Sequence, residues 1–370
     1  MRIVVDVTPL ALPRTGIGNY ILGMLRGLTE AGANHEIVAF AAVAPPGKRR
    51  IEQALDGVSV KRRLVFFPPK SHWWRTAWSR LGHGPVEWLA GQLDVFHFSD
   101  WMYPPQRGGI RATTIHDVFP LRFPDWVHPQ TYRMHSRKYA DAARTCDLIV
   151  VNSEFTAGDV VELLGFPRER ICVAHPAVNP IFRSDGPERD LGGPYLLTVA
   201  TLERRKNLET LLAAMPLVRQ SHPDLRLAVV GAPGWQGPSV EGEGVLPLGY
   251  VNDDELAALY RGAEAFVYPS RFEGFGMPIV EAMACGAPVI ASAHPSLDEA
   301  SGGVALRADP ESAEAFAEAI DRALLNREAL SERGVEHVRD FTARDQGTAI
   351  LGAYEQELSG AGARGSPETS

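Results

Sequence analysis

A chain of 370 residues, 45% hydrophobic and 22% charged, carries enough apolar material for a buried core and is long enough to favour two domains over one. Its formal net charge of -8 argues against a general nucleic-acid binder, and the basic clusters Lys48-Arg49-Arg50 and Lys61-Arg62-Arg63 read as solvated loop charges, with local contact patches as the alternative. Cys146, Cys172 and Cys285 are too few and too scattered for a disulfide framework or a zinc site, which points to isolated thiols in a reducing compartment, the cytoplasm by default.

The N-terminal run Met1-Arg2-Ile3-Val4-Val5-Asp6-Val7 has an acid inside its apolar stretch and no small-residue cleavage site, so it predicts a first strand rather than a signal peptide. Tyr20, Met24, Leu25 and Leu28 then mark one helical face. Further strands are predicted at 36–40, 94–98, 112–115, 148–151 and 171–174. Proline and glycine crowd the stretch 179–194 and break this rhythm, giving a first domain over 1–182 and a linker over 183–194. The alternation restarts with strands at 195–199, 225–230, 265–268 and 288–292, in a second domain over 195–344. A last helix over 345–359 is placed to cross back onto the first domain, and the small, polar stretch 360–370 reads as a disordered tail. Strands alternating with helices predict an α/β chain of two doubly wound, Rossmann-like domains, with the carboxyl ends of both strand sets around a shared crevice. No apolar stretch approaches the ~18 residues that span a bilayer, so any membrane contact is peripheral.

The most informative segment is Ser270-Arg271-Phe272-Glu273-Gly274-Phe275-Gly276-Met277-Pro278-Ile279-Val280-Glu281, which follows a predicted strand. Pro278 fits the first helical position, where its missing N–H costs nothing, so Gly274 and Gly276 fall in the turn that opens a helix. Such a turn offers free backbone N–H groups beside the positive end of the helix dipole, suited to phosphate oxygens and sugar hydroxyls. Glu273 precedes this nest and Glu281 lies about one turn inside the helix, so the two carboxylates can address opposite ends of one elongated polar ligand. Taken alone, Glu273 reads equally as a solvated loop acid and Glu281 as an acid favouring the dipole.

The stretch closely resembles the Glu-x7-Glu motif of the retaining GT-B glycosyltransferases of family GT4. The resemblance implies that Glu273 contacts the donor sugar, that Glu281 binds the ribose hydroxyls of the nucleotide, and that backbone groups at Phe275, Gly276 and Met277 hold the sugar and diphosphate. It extends to Thr198-Val199-Ala200-Thr201-Leu202-Glu203-Arg204-Arg205-Lys206-Asn207, which matches the family's phosphate loop. A departing nucleoside diphosphate needs fixed cations, and Arg205 as a fork and Lys206 as a point charge fit that role. Many members carry an Arg at the position of Thr201; here Arg205 is taken to replace it, with Arg204 as the alternative contact. The family's sugar-contacting His falls on His116, in Thr114-Ile115-His116-Asp117, a residue that in isolation reads as a buried structural histidine. Gly16 and Gly18, in Thr15-Gly16-Ile17-Gly18-Asn19-Tyr20, fall where the family has a flexible glycine loop near the leaving phosphate. Tyr250 and Val251 match the segment whose backbone recognises the base, and the following Asp253 to Glu255 read as an acidic helix start.

Gly16-x-Gly18 also resembles part of a dinucleotide fingerprint, but Ile21 stands at the third glycine and about nine residues separate the first strand from Gly16. Gly231, Gly234 and Gly237 are followed by Pro238 rather than a helix, so hydride transfer is set aside. No Asp-x-Asp occurs, which agrees with a site that needs no metal and no cofactor beyond the donor itself. The resemblance implies retention at the anomeric carbon, by front-face attack with the leaving phosphate taking the proton; a double displacement on Glu273 is the minor alternative. The segments 199–207 and 114–124 look most like members acting on bacterial polysaccharides, so the favoured donor is GDP-mannose and the acceptor a saccharide or lipid-linked saccharide. A nucleotide-sugar epimerase and a non-catalytic sugar-nucleotide binding protein are the rival functions. In 61–88, Trp73, Trp74, Trp78 and Trp88 stand among basic residues, with Trp74, Trp78 and Leu81 on one helical face. That face either packs inside the first domain or rests on the cytoplasmic membrane surface.

Overall fold

The computed structural model describes the chain apart from residues 13–15, 69–76, 79–81, 83, 100–103, 202, 232–239 and 365–370, and the side chains of 361–364. It divides into two compact units: Met1–Leu121 and Gln130–Ala177 with the C-terminal stretch from Phe341, and Arg122–Pro129 with Val178–Asp340. The chain therefore changes unit at 121/122, 129/130, 177/178 and 340/341. The stretch 183–194 is tied into the second unit, where the Arg189 N–H donates to the Ala258 carbonyl at 2.9 Å and the Tyr195 hydroxyl donates to the Arg189 carbonyl at 3.0 Å.

Among the described residues the first unit carries a seven-stranded parallel sheet, ordered β3-β2-β1-β4-β5-β6-β7. Its strands are β1 (Arg2–Asp6), β2 (Glu36–Val43), β3 (Lys61–Phe66), β4 (Val95–Phe98), β5 (Ile110–Ile115), β6 (Leu148–Val151) and β7 (Ile171–Val173). β1 is buried on both faces, as a central parallel strand must be: Ile3 and Val5 join one core with Met24 and Leu25, while Val4 faces the other with Phe40 and Phe96. The C-terminal helix Ala343–Arg364 packs on Gly16–Ala31 and buries Ile350, Leu351 and Tyr354 in the first of these cores.

The second unit has six parallel strands among the described residues, ordered β10-β9-β8-β11-β12-β13. They are β8 (Tyr195–Val199), β9 (Arg226–Val230), β10 (Val245–Gly249), β11 (Ala265–Tyr268), β12 (Val289–Ser292) and β13 (Leu306–Ala308). The strand order reverses between β1 and β4 and between β8 and β11, and the crevice outside the carboxyl ends at such a switch point is where ligands of these sheets bind.

Four expectations need correction. Lys61-Arg62-Arg63 is not a loop but the start of β3, which among the described residues pairs with β2 alone; charge along an exposed edge discourages further pairing. Lys48, Arg49 and Arg50 lie in the helix Pro45–Ala54. Gly16 and Gly18 form the first turn of the helix Gly16–Ala31 rather than a loop, while Thr15 lies outside the described residues. The last helix continues through Arg364, so the tail reading fails for 360–364, and 365–370 lie outside the described residues. β10 and β13 escaped prediction for physical reasons: Pro247 cannot donate to a ladder and argues against a strand, and β13 is only three residues long. Gly234, Gly237 and part of the tryptophan segment, including Trp73, Trp74 and Leu81, also lie outside the described residues.

Candidate active site

The switch point of the second unit gathers residues from the loops after β8 and β11. Past β8 the chain makes a short 3-10 turn, Arg204–Lys206, and then enters the helix Leu208–Ser221 through Asn207. Asn207 is fully buried with φ 56°, the one non-glycine residue with positive φ among those described; asparagine tolerates this left-handed conformation better than most side chains. Its amide donates to the carbonyls of Pro269 at 3.0 Å and Pro310 at 2.7 Å, and the Arg271 N–H donates to the Arg205 carbonyl at 2.8 Å. The two loops are thereby stitched together before any charge is considered.

Glu273 lies at the junction, only 7% exposed. Arg205 Nη1 is 2.9 Å from its Oε2, and Lys206 Nζ is 2.5 Å from its Oε1. The hydroxyls of Tyr268 and Ser270 also donate to Oε1, at 2.8 and 2.5 Å, and the Glu273 N–H donates to Ser296 Oγ at 3.0 Å. Burial alone raises the Glu273 carboxyl, but the Arg205 and Lys206 charges outweigh it and hold the group down at about 2. Burial and the neighbouring Arg205 guanidinium pull Lys206 below the ordinary lysine range, with Glu273 pulling the other way. Buried charges persist only when paired and hydrogen-bonded, which this cluster achieves. Two partly buried cations face one buried carboxylate; the further acid, Glu203, is 3.4 Å from Arg205 Nε and 37% exposed. Such a cluster is suited to receiving an anion. Arg204 makes no such contact: its guanidinium lies 5.0 Å from the ring centroid of Trp126. Thr201 is exposed.

Beyond Glu273, Gly276 caps the helix Met277–Ala284 with φ 105° and ψ 47°. A side chain there would be strained, and a Cβ would also sit 3.0 Å from Leu297. Pro278 is the second helical residue, where its missing N–H is still without cost. Phe275 is buried, and Glu281, in the helix's second turn, is 8% exposed and accepts from the Tyr260 hydroxyl at 3.4 Å. Tyr250 and Val251 sit between β10 and the helix Asp253–Gly262, which Asn252 and Glu255 open with a reciprocal capping box; Tyr250 is largely exposed.

In the first unit His116 follows β5 and is partly buried. Its ring meets Tyr20 edge-on at 4.9 Å between centroids, and its carbonyl accepts from the Asn152 amide at 3.2 Å. Burial lowers its imidazole to about 3, so it is neutral near pH 7. Sequence reasoning missed the polar residues that shape the second unit's cluster: Tyr268, Ser296, Asn207 and Tyr260. No spacing rule marks them, because each meets its partner only once the sheet has formed. Among the described residues no group of three or more His, Cys, Asp and Glu is placed to hold a metal ion, and no helix is long and apolar enough to cross a membrane.

Residues 14–181 match the model of glycosyltransferase family 4, and residues 183–339 match that of glycosyl transferases group 1. A phosphatidyl-myo-inositol mannosyltransferase from Propionibacterium freudenreichii is 31% identical over 313 residues, covering 77% of this chain and 76% of the relative. The chain belongs to glycosyltransferase family 4. This glycosyltransferase is an enzyme that transfers a sugar from a nucleotide sugar. It is also 29% identical over 382 residues to the O-antigen chain mannosyltransferase B of Escherichia coli, covering 96% of this chain and all of that relative. A sucrose-phosphate synthase from Thermosynechococcus elongatus superposes with a TM-score of 0.70 at 20% identity, over 97% of this chain and 99% of that one. The two doubly wound units of this glycosyltransferase are those of the GT-B fold.

Proposed function

We propose that this enzyme transfers mannose from GDP-mannose, with retention of configuration, to a saccharide or lipid-linked acceptor in bacterial polysaccharide or glycoconjugate synthesis. The observation that carries the reading is the cluster of Arg205, Lys206 and Glu273 at the switch point of the second sheet, beside the helix N-terminus at Met277. Two cations fixed in advance suit the charge that develops on a departing diphosphate, and they do so without a metal ion. The similarity to two bacterial mannosyltransferases supports the choice of sugar.

In this reading Arg205, Lys206 and the backbone at Phe275, Gly276 and Met277 hold the diphosphate, with the helix-opening Gly16 and Gly18 on the phosphate side. Glu281 binds the ribose, and the backbone at Tyr250 and Val251 the base. Glu273 and the neutral His116 address the donor sugar near its reacting carbon. The acceptor hydroxyl attacks that carbon from the face that the phosphate leaves, the C–O bond to phosphate breaks, and a phosphate oxygen takes the hydroxyl proton. Glu273, engaged by two cations and two hydroxyls, is poorly suited to act as a nucleophile, which favours this route over double displacement.

A lipid-linked acceptor places the enzyme at the inner face of the membrane. Phe66 at 66% exposure and Trp88 at 68%, the latter with the Arg107 guanidinium 5.7 Å from its ring, support a peripheral contact there. Thermal unfolding with a panel of GDP-, UDP- and dTDP-sugars tests the donor assignment, since a specific donor raises stability by mass action. GDP-mannose is expected to raise the midpoint most; a response confined to UDP-sugars refutes the mannose assignment.

A further inference from the structure

We propose that Tyr268 is a positioning residue of the transfer reaction, its hydroxyl holding Lys206 Nζ and Glu273 Oε1 at one fixed point. The inference rests on the roles given above to Lys206 and Glu273. Lys206 Nζ donates to the Tyr268 oxygen at 2.9 Å, and that hydroxyl donates to Glu273 Oε1 at 2.8 Å. The proton directions are forced: an ammonium has only donors and an ionised carboxylate only acceptors, so the phenol must accept from one and donate to the other.

The tyrosine can hold this point because it cannot move. It is the last residue of β11, in register with Ala291 of β12, and 1% exposed. Its ring stacks on Phe266, two residues earlier on the same face, at 5.8 Å and 24°. The oxygen is therefore fixed to the sheet, whereas the lysine tip hangs on a flexible four-carbon stem. The two oxygens of Glu273 consequently differ. Oε1 takes Lys206, Tyr268 and Ser270 and is committed to the frame; Oε2 takes Arg205 and is the oxygen left to address the donor. Losing the phenol oxygen frees the lysine tip, and displacement of a charge-stabilising group by about 1 Å can cost on the order of 100-fold in rate.

The full-length chain, assayed for GDP release from GDP-mannose, tests this with Tyr268→Phe, Lys206→Ala and the double variant. Tyr268→Phe is expected to lower kcat by about 10- to 100-fold with donor KM within about 3-fold of native. It is also expected to move the alkaline limb of kcat/KM to lower pH, because the ammonium loses an acceptor. In the Lys206→Ala background the same change is expected to add less than it does in the native enzyme, because only the bond to Glu273 is left to lose. A Tyr268→Phe enzyme with kcat within about 2-fold of native and an unmoved alkaline limb, beside a crippled Lys206→Ala enzyme, overturns the proposal and leaves the role of Lys206 standing. A full additional loss in the double variant overturns it as well. Native activity in Lys206→Ala refutes the underlying reading instead. Should the Phe chain not fold, 3-fluorotyrosine at position 268 keeps the ring and hydroxyl while weakening the acceptor oxygen. It is expected to move the alkaline limb to lower pH, and an unmoved limb overturns the proposal.

Discussion

Lys206 and Glu273 are 67 residues apart in sequence, yet the ammonium of one lies 2.5 Å from the carboxylate of the other, because β8 and β11 are neighbours at the point where the sheet reverses its order. Replacing Lys206 by Ala removes one of the two cations assigned to the departing diphosphate. Turnover is expected to fall by about 100-fold or more, equivalent to a few kcal/mol of transition-state stabilisation. Steady-state kinetics check this, and a rate within a few-fold of native removes Lys206 from that role.

Fixed side-chain cations also make a prediction about chelators. With Arg205 and Lys206 carrying the charge, excess EDTA is expected to leave the rate nearly unchanged. A rate abolished by EDTA and restored by magnesium or manganese contradicts the proposed site.

His97 gives the fold a dependence on acid. It is fully buried between the Tyr354 hydroxyl at 2.6 Å and Thr114 Oγ1 at 2.8 Å, and burial holds its imidazole at about 3. The unfolded chain takes up this proton near pH 6.5, so the contribution is complete above 6.5 and is lost as pH falls from there towards 3. Between pH 7.5 and pH 5 the loss is about 2 kcal/mol. Urea unfolding across this range, compared with His97→Gln, is expected to show a shallower slope in the variant; equal slopes sink the assignment.

The C-terminal helix is held by an approach that admits no side chain. A Cβ on Gly347 would overlap the backbone of Gly27, and one on Gly27 would overlap the backbone around Ala343 and Gly347. Gly347→Ala is expected to cost about 2 kcal/mol or more, since overpacking outweighs the gain in helix propensity of about 1 kcal/mol. Gly352→Ala, which meets open space on the same helix, is the control, expected to be neutral or mildly stabilising. Equal midpoints in urea for both variants disprove the close-contact account.

Co-sedimentation with liposomes tests the membrane proposal. Binding to anionic vesicles is expected at low salt and is expected to weaken as salt rises. Absence of binding at low salt eliminates the proposal; binding that ignores salt eliminates its electrostatic part.

The sequence alone determined the layered α/β plan, because the strand and helix periods of 2 and 3.6 residues are local properties. It determined the central strands most sharply: β6, β8 and β11 fall on the predicted residues, since strands buried on both faces must be continuously apolar. Edge strands hide their identity, as β3 does behind Lys61, Arg62 and Arg63 and β10 behind Pro247. Glu273 and Glu281 could be singled out because charge and glycine after a strand are visible in one dimension, whereas Arg205, Lys206 and His116 were reached through the resemblance to the family. Only the tertiary structure decided that Arg205 rather than Arg204 meets Glu273, and that Tyr268, Ser270 and Ser296 surround it. It likewise decided that Gly16 and Gly18 open a helix, and that a tyrosine 257 residues away from His97 completes its hydrogen bonding. Those outcomes depend on which strands become neighbours and which side chains they then bring within 3 Å, and burial makes each of these polar contacts obligatory once the sheet has closed around it.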